Sequence, residues 1–308
     1  PDGAGQVPAL TPGINTLSVS CLNQISETAS APLSVQVWSG EFDKDDLAAF
    51  APDVDAPLVA IDGNTYFLSA DALSDADLGR LDSVVEVDGE VQITGLTVSV
   101  IGDPVNSIFG ALQRTSGRFH LSNSSTAIVD LASLVSVGGA FEVNTNASLT
   151  TLTASELASV GGAFSLSSNS VMGNVVLNNL VEVGTNDTLD DEGRRFFFNN
   201  NGSASYLAEF GALLSVGGDF VVASCDGLTS FTADKMTQVG GFFEVEDNTS
   251  LTSIDIDDLE GVVGHLRIRD NTALPCSEVD PVTDGVNSPA PSSWGLTNND
   301  NMEECVAP

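Results

Sequence analysis

From residue 131 onward, apolar and polar positions alternate in short bursts that return at a fixed distance. LASLVSVGGAFEVNTNASLTTLTA (131–154) comes back as ELASVGGAFSLSSNSVMGNVVL (156–177), LLSVGGDFVVASCDGLTSFTA (213–233) and KMTQVGGFFEVEDNTSLTSIDI (235–256). Aligned on the first glycine of each pair, the markers are Gly138, Gly161, Gly184, Gly217 and Gly240, with Val263 in the same slot. The steps are 23, 23, 33, 23 and 23 residues. Three and five residues past the marker stand Phe141/Val143, Phe164/Leu166, Phe220/Val222, Phe243/Val245 and Leu266/Ile268. Eight residues past it stand Asn146, Asn169, Cys225, Asn248 and Asn271, and eleven past it Leu149, Met172, Leu228, Leu251 and Leu274. The enlarged repeat resumes as Phe196-x-Phe198-x-x-Asn201, which puts its extra residues in the loop 185–194. Weaker copies reach upstream through Ser116–Gly117 and Asp88–Gly89.

Apolar residues two apart lie on one face of a β-strand. A strand that recurs every 23 residues pairs with its own copy in the next repeat, so the pattern predicts an all-β, parallel β-helix in which each coil buries its apolar set against its neighbours. At about 4.8 Å per rung, about eight coils make a rod near 40 Å long. The paired glycines mark a corner that needs φ > 0 or a close backbone approach. The asparagine slot marks a second corner, where stacked amides can satisfy backbone groups left unpaired by the turn.

F-x-V-x-x-N-x-x-L-x-x-L, with Cys225 standing once for the asparagine, resembles the leucine-rich-repeat signature. With its Val-Gly-Gly corner and 23-residue period, it is similar to receptor L-domains and to the fungal cell-wall proteins that share their repeat. The resemblance spans residues 78–280 and implies a right-handed, leucine-rich-repeat-like solenoid at a cell surface. It does not imply one activity, because such scaffolds host receptors, wall proteins and adhesins. Three regions follow: 1–73, strand-rich but without a legible repeat; 74–280, the solenoid; and 281–308, a C-terminal capping tail. Two readings of 1–73 stand side by side, an N-terminal cap over the first coil and an extended arm that adds a strand to another subunit. The short acidic stretch DKDDLAAF within it reads as one or two helical turns.

The four cysteines form no C-x-x-C pair, so zinc-ribbon and thioredoxin-like readings lack their spacing. Cys276 directly follows the last copy and Cys305 lies near the end. A Cys276–Cys305 disulfide folding the tail over the open coil is expected, and with it an oxidising, extracellular setting. Cys225, in the asparagine slot, reads as a buried inert thiol, while the state of Cys21 is open. Pro1 in place of an initiator Met reads as a trimmed or processed chain.

Charge narrows the partners. The 308 residues carry 43 Asp+Glu against 9 Lys+Arg, a formal charge of −34, with two lysines and no basic run. Such a surface repels nucleic-acid phosphates and anionic headgroups. No apolar stretch approaches the length of a membrane helix. Neither nucleic acid nor membrane insertion is expected; self-association, as a homo-oligomer or filament, and glycans are the expected partners.

Three kinds of site are candidates. Arg118, His120, Arg195, Arg267 and Arg269, with His265, fall at outward positions of the long sheet and form a ligand-binding stripe in one reading. In the other they pair across rungs, His120 with Glu142, Arg195 with Asp219, Arg267 with Glu244 and Arg269 with Glu246. Asp187, Asp190, Asp191 and Glu192 crowd the insertion as oxygen ligands suited to Ca²⁺, although no calcium-loop motif accompanies them and no cofactor is otherwise indicated. Of the five N-x-S/T sequons, Asn146, Asn201 and Asn248 fall in the slot and should be buried, which leaves Asn123 and Asn186 as glycosylation candidates. No HExxH, G-x-S-x-G, P-loop or GxGxxG run is present. The outward positions show no carboxylate pair in the middle coils, and neither histidine has a nearby Ser or Cys in register. The chain therefore reads as a non-enzymatic extracellular structural or adhesive protein. A receptor-like or carbohydrate-binding module is the alternative, and a polysaccharide-cleaving β-helix is further off.

Overall fold

The computed structural model describes residues 11–19, 33–49, 56–68, 79–97, 100–101, 109–186, 188–190, 192–202, 206–286, 291–297 and 299. It is a β-solenoid in which successive coils feed three stacked sheets of 11, 10 and 7 strands. Taking one coil as an example, Ser136–Val137 enters the first (narrow) sheet, Phe141–Asn144 the second (wide) sheet and Thr151–Thr153 the third. Each pairs in parallel with its equivalent one coil on: Val137 with Val160, Phe141 with Phe164, Leu152 with Val175. The ten-residue insertion leaves this register intact, since Phe164 pairs with Phe196.

Strand alternation decides what lies inside. Phe119, Phe141, Phe164, Phe196, Phe220 and Phe243 are fully buried and form one column along the axis. Their successive ring centroids lie 5.4, 5.6, 5.0, 5.0 and 5.1 Å apart with planes within 13°. Burying each phenyl is worth about 1.5–3 kcal/mol, and stacking adds about 0.5–1.5 kcal/mol per pair.

The marker glycines are required by close approach. A Cβ on Gly161, Gly217 or Gly240 would strike the carbonyl oxygen of the marker one coil earlier, Gly138, Gly184 or Gly217. Among the markers only Gly184 has a positive φ, 75°. The left-handed residue stands elsewhere, just before the asparagine slot; in the coil of Val91–Thr94 it is Gly95, φ 70°, and the coils from Phe119 onward use other residues. These are Asn123, Thr145, Ser168, Asn200, Ser224, Asp247 and Asp270, with φ between 51° and 60°. Asn and Asp tolerate this region best, and Thr145, being β-branched, is the most strained.

The slot itself is a ladder of amides. Asn169 Oδ1 accepts from the backbone N–H of Asn146 at 3.0 Å, while its Nδ2 donates to Val143 O of the preceding coil at 2.9 Å. Asn201, Asn248, Asn271 and Asn299 repeat the arrangement. All are buried, and the bonds they make answer the need of a turn buried away from water. Cys225 takes the same place: its Sγ receives Asn201 N–H at 3.5 Å, and burial pushes its thiol up to about 11.

At both ends the parallel stack runs further than the legible repeat. Leu58–Asp62 pairs with Glu86–Val87, Leu33–Ser39 pairs in parallel with Leu58–Asp62, and Thr65–Phe67 pairs with Val91–Thr94, all upstream of residue 74 or reaching back across it. Gly13–Val19 runs antiparallel to Leu33–Ser39 over seven residues, so this strand pairs within its own chain. The acidic stretch forms helix α1, Lys44–Ala49. Asp43 Oδ1 accepts from the N–H groups of Asp45 and Asp46, and Asp46 Oδ2 answers the N–H of Asp43, a reciprocal cap. Phe42 and Leu47 on either side of this turn are fully buried.

At the other end, helix α2 (Cys276–Gly285) buries Val279 and Val282 over the last coil. Trp294–Thr297, within the segment expected to serve as a cap, pairs in parallel with Leu266–Arg269 and adds a tenth wide strand. Cys276 is disulfide-bonded. Cys305 and Cys21 lie outside the described residues.

Candidate functional site

The outward face of the wide sheet collects the chemistry. Every second residue of a wide strand points out, and the register stacks Tyr66, Gln92, His120, Glu142, Ser165, Phe197, Val221, Glu244, Arg267 and Gly295 into its central column. On either side run one column from Glu90 and Arg118 to Phe242 and His265, and another from Thr94 and Ser122 to Glu246 and Arg269.

The expected basic residues all lie on this face, in two clusters with Arg195 between them. In the first, His120 Nδ1 lies 2.8 Å from Glu142 Oε2, Arg118 Nη1 lies 3.5 Å from the same oxygen, and Arg118 Nε lies 3.4 Å from Glu90. The hydrogen bond from His120, followed by the charges of His120 and Arg118, holds the Glu142 carboxyl below its ordinary range. In the second, Glu244 Oε1 receives both His265 Nε2 at 2.6 Å and Arg267 Nη1 at 3.1 Å, and Arg269 Nε reaches Glu246 at 2.8 Å. His265 also stacks on the half-exposed ring of Phe242, centroids 4.1 Å apart. Three rungs, about 14 Å, separate Arg195 from the basic residues of each cluster, so the stripe is not one pocket.

Two sequence expectations change here. Arg195 does not pair with Asp219. Its guanidinium lies over the Phe197 ring at 4.4 Å, and Asp219 Oδ1 accepts the Phe242 backbone N–H at 2.7 Å. More consequentially, His120 does have a serine at hand: Ser122 Oγ lies 2.9 Å from its Nε2. The expectation that no serine stands near either histidine fails because residues i and i+2 of one strand share a face. The pattern H-x-S on an outward strand position was the signal.

Midway along the face, Asn144 Oδ1 accepts from Ser165 Oγ at 3.1 Å, Ser167 Oγ at 2.9 Å and Ser167 N–H at 3.1 Å, an uncharged amide–hydroxyl patch beside Phe197. In the insertion, Asp190 Oδ1 accepts from Gly193 N–H at 2.8 Å, while Asp187, Asp191 and the side chain of Glu192 lie outside the described residues. Among the described residues no group of three His, Cys, Asp or Glu side chains is disposed to hold an ion. Asn123 and Asn186 are exposed, whereas Asn146, Asn201 and Asn248 are buried in the ladder.

No protein-family model, no curated protein and no solved structure matches this chain. No helix among the described residues is long and apolar enough to cross a membrane.

Proposed function

We propose that the chain is an extracellular structural and adhesive rod that acts by laying its wide face against another surface. One observation carries the reading. The wide face sets Arg118, Arg195, Arg267, Arg269 and both histidines against Glu90, Glu142, Asp219, Glu244 and Glu246, and is nearly neutral on a chain of net charge −34. Approach by any other side brings carboxylates together, and like charges in contact are repulsive. Further copies of the chain, assembling into a filament or surface layer, and matrix glycans are the partners such a face suits. The oxidised Cys276 supports an oxidising setting, with Cys305 proposed as its partner and glycans proposed at Asn123 and Asn186.

The test is electron microscopy of the purified chain, with and without Ca²⁺ and at graded salt, beside adhesion to polysaccharide-coated beads. R195E combined with R267A should abolish assembly or adhesion while the folded content stays unchanged. Assembly and adhesion equal to wild type would remove the wide face from the reading. A second reading, a receptor-like or carbohydrate-binding module, is favoured by the Asn144–Ser165–Ser167 patch beside Phe197. Glycan-array binding by monomeric protein, lost on N144A, would select it.

A further inference from the structure

The two histidines of the wide face sit in different company. His265 meets Glu244 and the ring of Phe242. His120 lies between a carboxylate and a hydroxyl, Glu142 Oε2 at 2.8 Å from Nδ1 and Ser122 Oγ at 2.9 Å from Nε2. The fold supplies this arrangement simply: Ser122 is two residues along the same strand, and Glu142 is the partner of His120 one rung on. An ionised carboxylate only accepts, so Nδ1 carries the ring proton and Nε2 presents its lone pair to the serine hydroxyl.

We propose that Ser122, His120 and Glu142 form a nucleophilic triad that hydrolyses an ester through an acyl-serine. Such triads are recognised by geometry and roles and not by chain order or fold. Here each role is filled. Arg118 Nη1, 3.5 Å from the same Glu142 oxygen, steadies the carboxylate that orients the ring. Asn144 is paired with Ser122 on the adjacent rung. Its Oδ1 is committed to Ser165 and Ser167, and its Nδ2 makes no hydrogen bond among the described residues. That amide is the donor available to an oxyanion forming beside Ser122. On the other side of His120, its rung partner Gln92 lines a cleft of about 470 Å3 that Tyr66, Leu68, Glu41, Asp43 and Lys44 also line. The aromatic ring and Leu68 suit an alkyl or aryl group, and because Lys44 is engaged by Asp45 at 2.8 Å the two carboxylates set the sign of the cleft and disfavour anions. The substrate class is accordingly an ester of a neutral or cationic alcohol.

In the acylation step the Ser122 Oγ–carbonyl carbon bond forms as the hydroxyl proton passes to His120 Nε2. Collapse of the tetrahedral adduct breaks the bond to the alcohol oxygen, which leaves with the proton from His120. Water then attacks the acyl-serine, giving one proton to His120. Ser122 Oγ departs and takes that proton back, releasing the carboxylic acid.

The proposal stands apart from the adhesive reading and holds or fails without it. The full chain is incubated with a fluorophosphonate probe, the adduct is mapped by peptide mass spectrometry, and turnover of p-nitrophenyl acetate is measured. The expected result is one adduct on Ser122, hydrolysis reduced to the buffer rate in S122A, and a loss of roughly 10²–10⁴-fold in H120N. S122A removes a single oxygen and keeps the strand position, so its thermal melt serves as the folding control. No adduct on Ser122 at saturating probe, or hydrolysis by folded S122A equal to wild type, overturns the proposal. Because labelling is read on the unaltered chain, a misfolded H120N would not obscure the answer.

Discussion

The backbone N–H of Cys225 donates to Asn248 Oδ1 at 2.9 Å, yet the N–H of Asn201, one coil earlier, has only the Cys225 sulfur, 3.5 Å away. The amide ladder is therefore strong on one side of Cys225 and weak on the other. Asn248→Ala strands the Cys225 N–H, and also ends the bonds to the Val222 carbonyl and to Asn271. An unpaired buried group costs about 1–3 kcal/mol, so a loss of about 2 kcal/mol is expected from urea midpoints. Cys225→Ala removes only weak sulfur bonds and should cost about 1 kcal/mol.

Glycine corners offer a cleaner contrast. Gly161→Ala drives a Cβ into the Gly138 carbonyl oxygen, whereas a Cβ on Gly173 meets nothing within 4 Å. The first should destabilise by about 2–4 kcal/mol. The second should be neutral or gain about 0.4–1 kcal/mol through the unfolded chain. Thermal melts of the two variants side by side check the difference in sign.

Acid stability should report Glu142 and Asp255 with opposite signs. Glu142 has a depressed carboxyl because His120 bonds its ionised form. Its contribution is present above the unfolded value of about 4.3 and is lost as pH falls through the lower folded value. E142Q should therefore show a shallower acid limb than wild type. Asp255 is raised, first by burial and then by Asp257, Asp234, Asp258 and Glu278. Its contribution is present below the unfolded value of about 3.9 and is lost as pH rises through the folded value. D255N should raise the urea midpoint at pH 7 and leave it unchanged at pH 3. Either variant moving the other way refutes its assignment.

Thiol chemistry tests the ladder independently. Cys225 is fully buried with its thiol pushed up to about 11, so a maleimide should leave it unmodified in the folded chain and label it after denaturation. Peptide mapping of the modified residue reads the outcome, and prompt labelling in the folded chain would contradict the burial.

Passage through a eukaryotic secretory pathway distinguishes the sequons. Glycans should appear at Asn123 and Asn186 and be missing from Asn146, Asn201 and Asn248, whose amides lie inside the ladder. Glycopeptide mass spectrometry checks each site.

The middle of the rod was readable because a solenoid repeats its demands. Phe141 and Phe164 meet the same environment 23 residues apart, so recurrence alone marks them as core. The first coils were not readable because their strands vary in length and spacing, and Leu33–Ser39 holds one neighbour antiparallel and one parallel. A trace was nevertheless present. A Cβ on Gly63 would strike the Gly40 carbonyl, and one on Gly89 would strike Gly63, which carries the corner upstream of residue 74. The left-handed position escaped notice because Asn, Thr, Ser and Asp share it, and no single residue type announces it. Ser122 was missed for another reason. A hydroxyl gains meaning only when a particular rotamer brings it to an imidazole, and that is decided by side-chain packing.

The amide ladder also gives the rod a direction in time. The slot bonds of each described coil are supplied by the next one: Asn146 N–H and Val143 O wait for Asn169, and Asn271 N–H and Ile268 O wait for Asn299. In a chain that emerges from its N-terminus, every finished coil is thus an unfilled mould for its successor. An interrupted chain ends in a coil whose side-chain amide still grips the coil before it but whose own slot N–H has no acceptor.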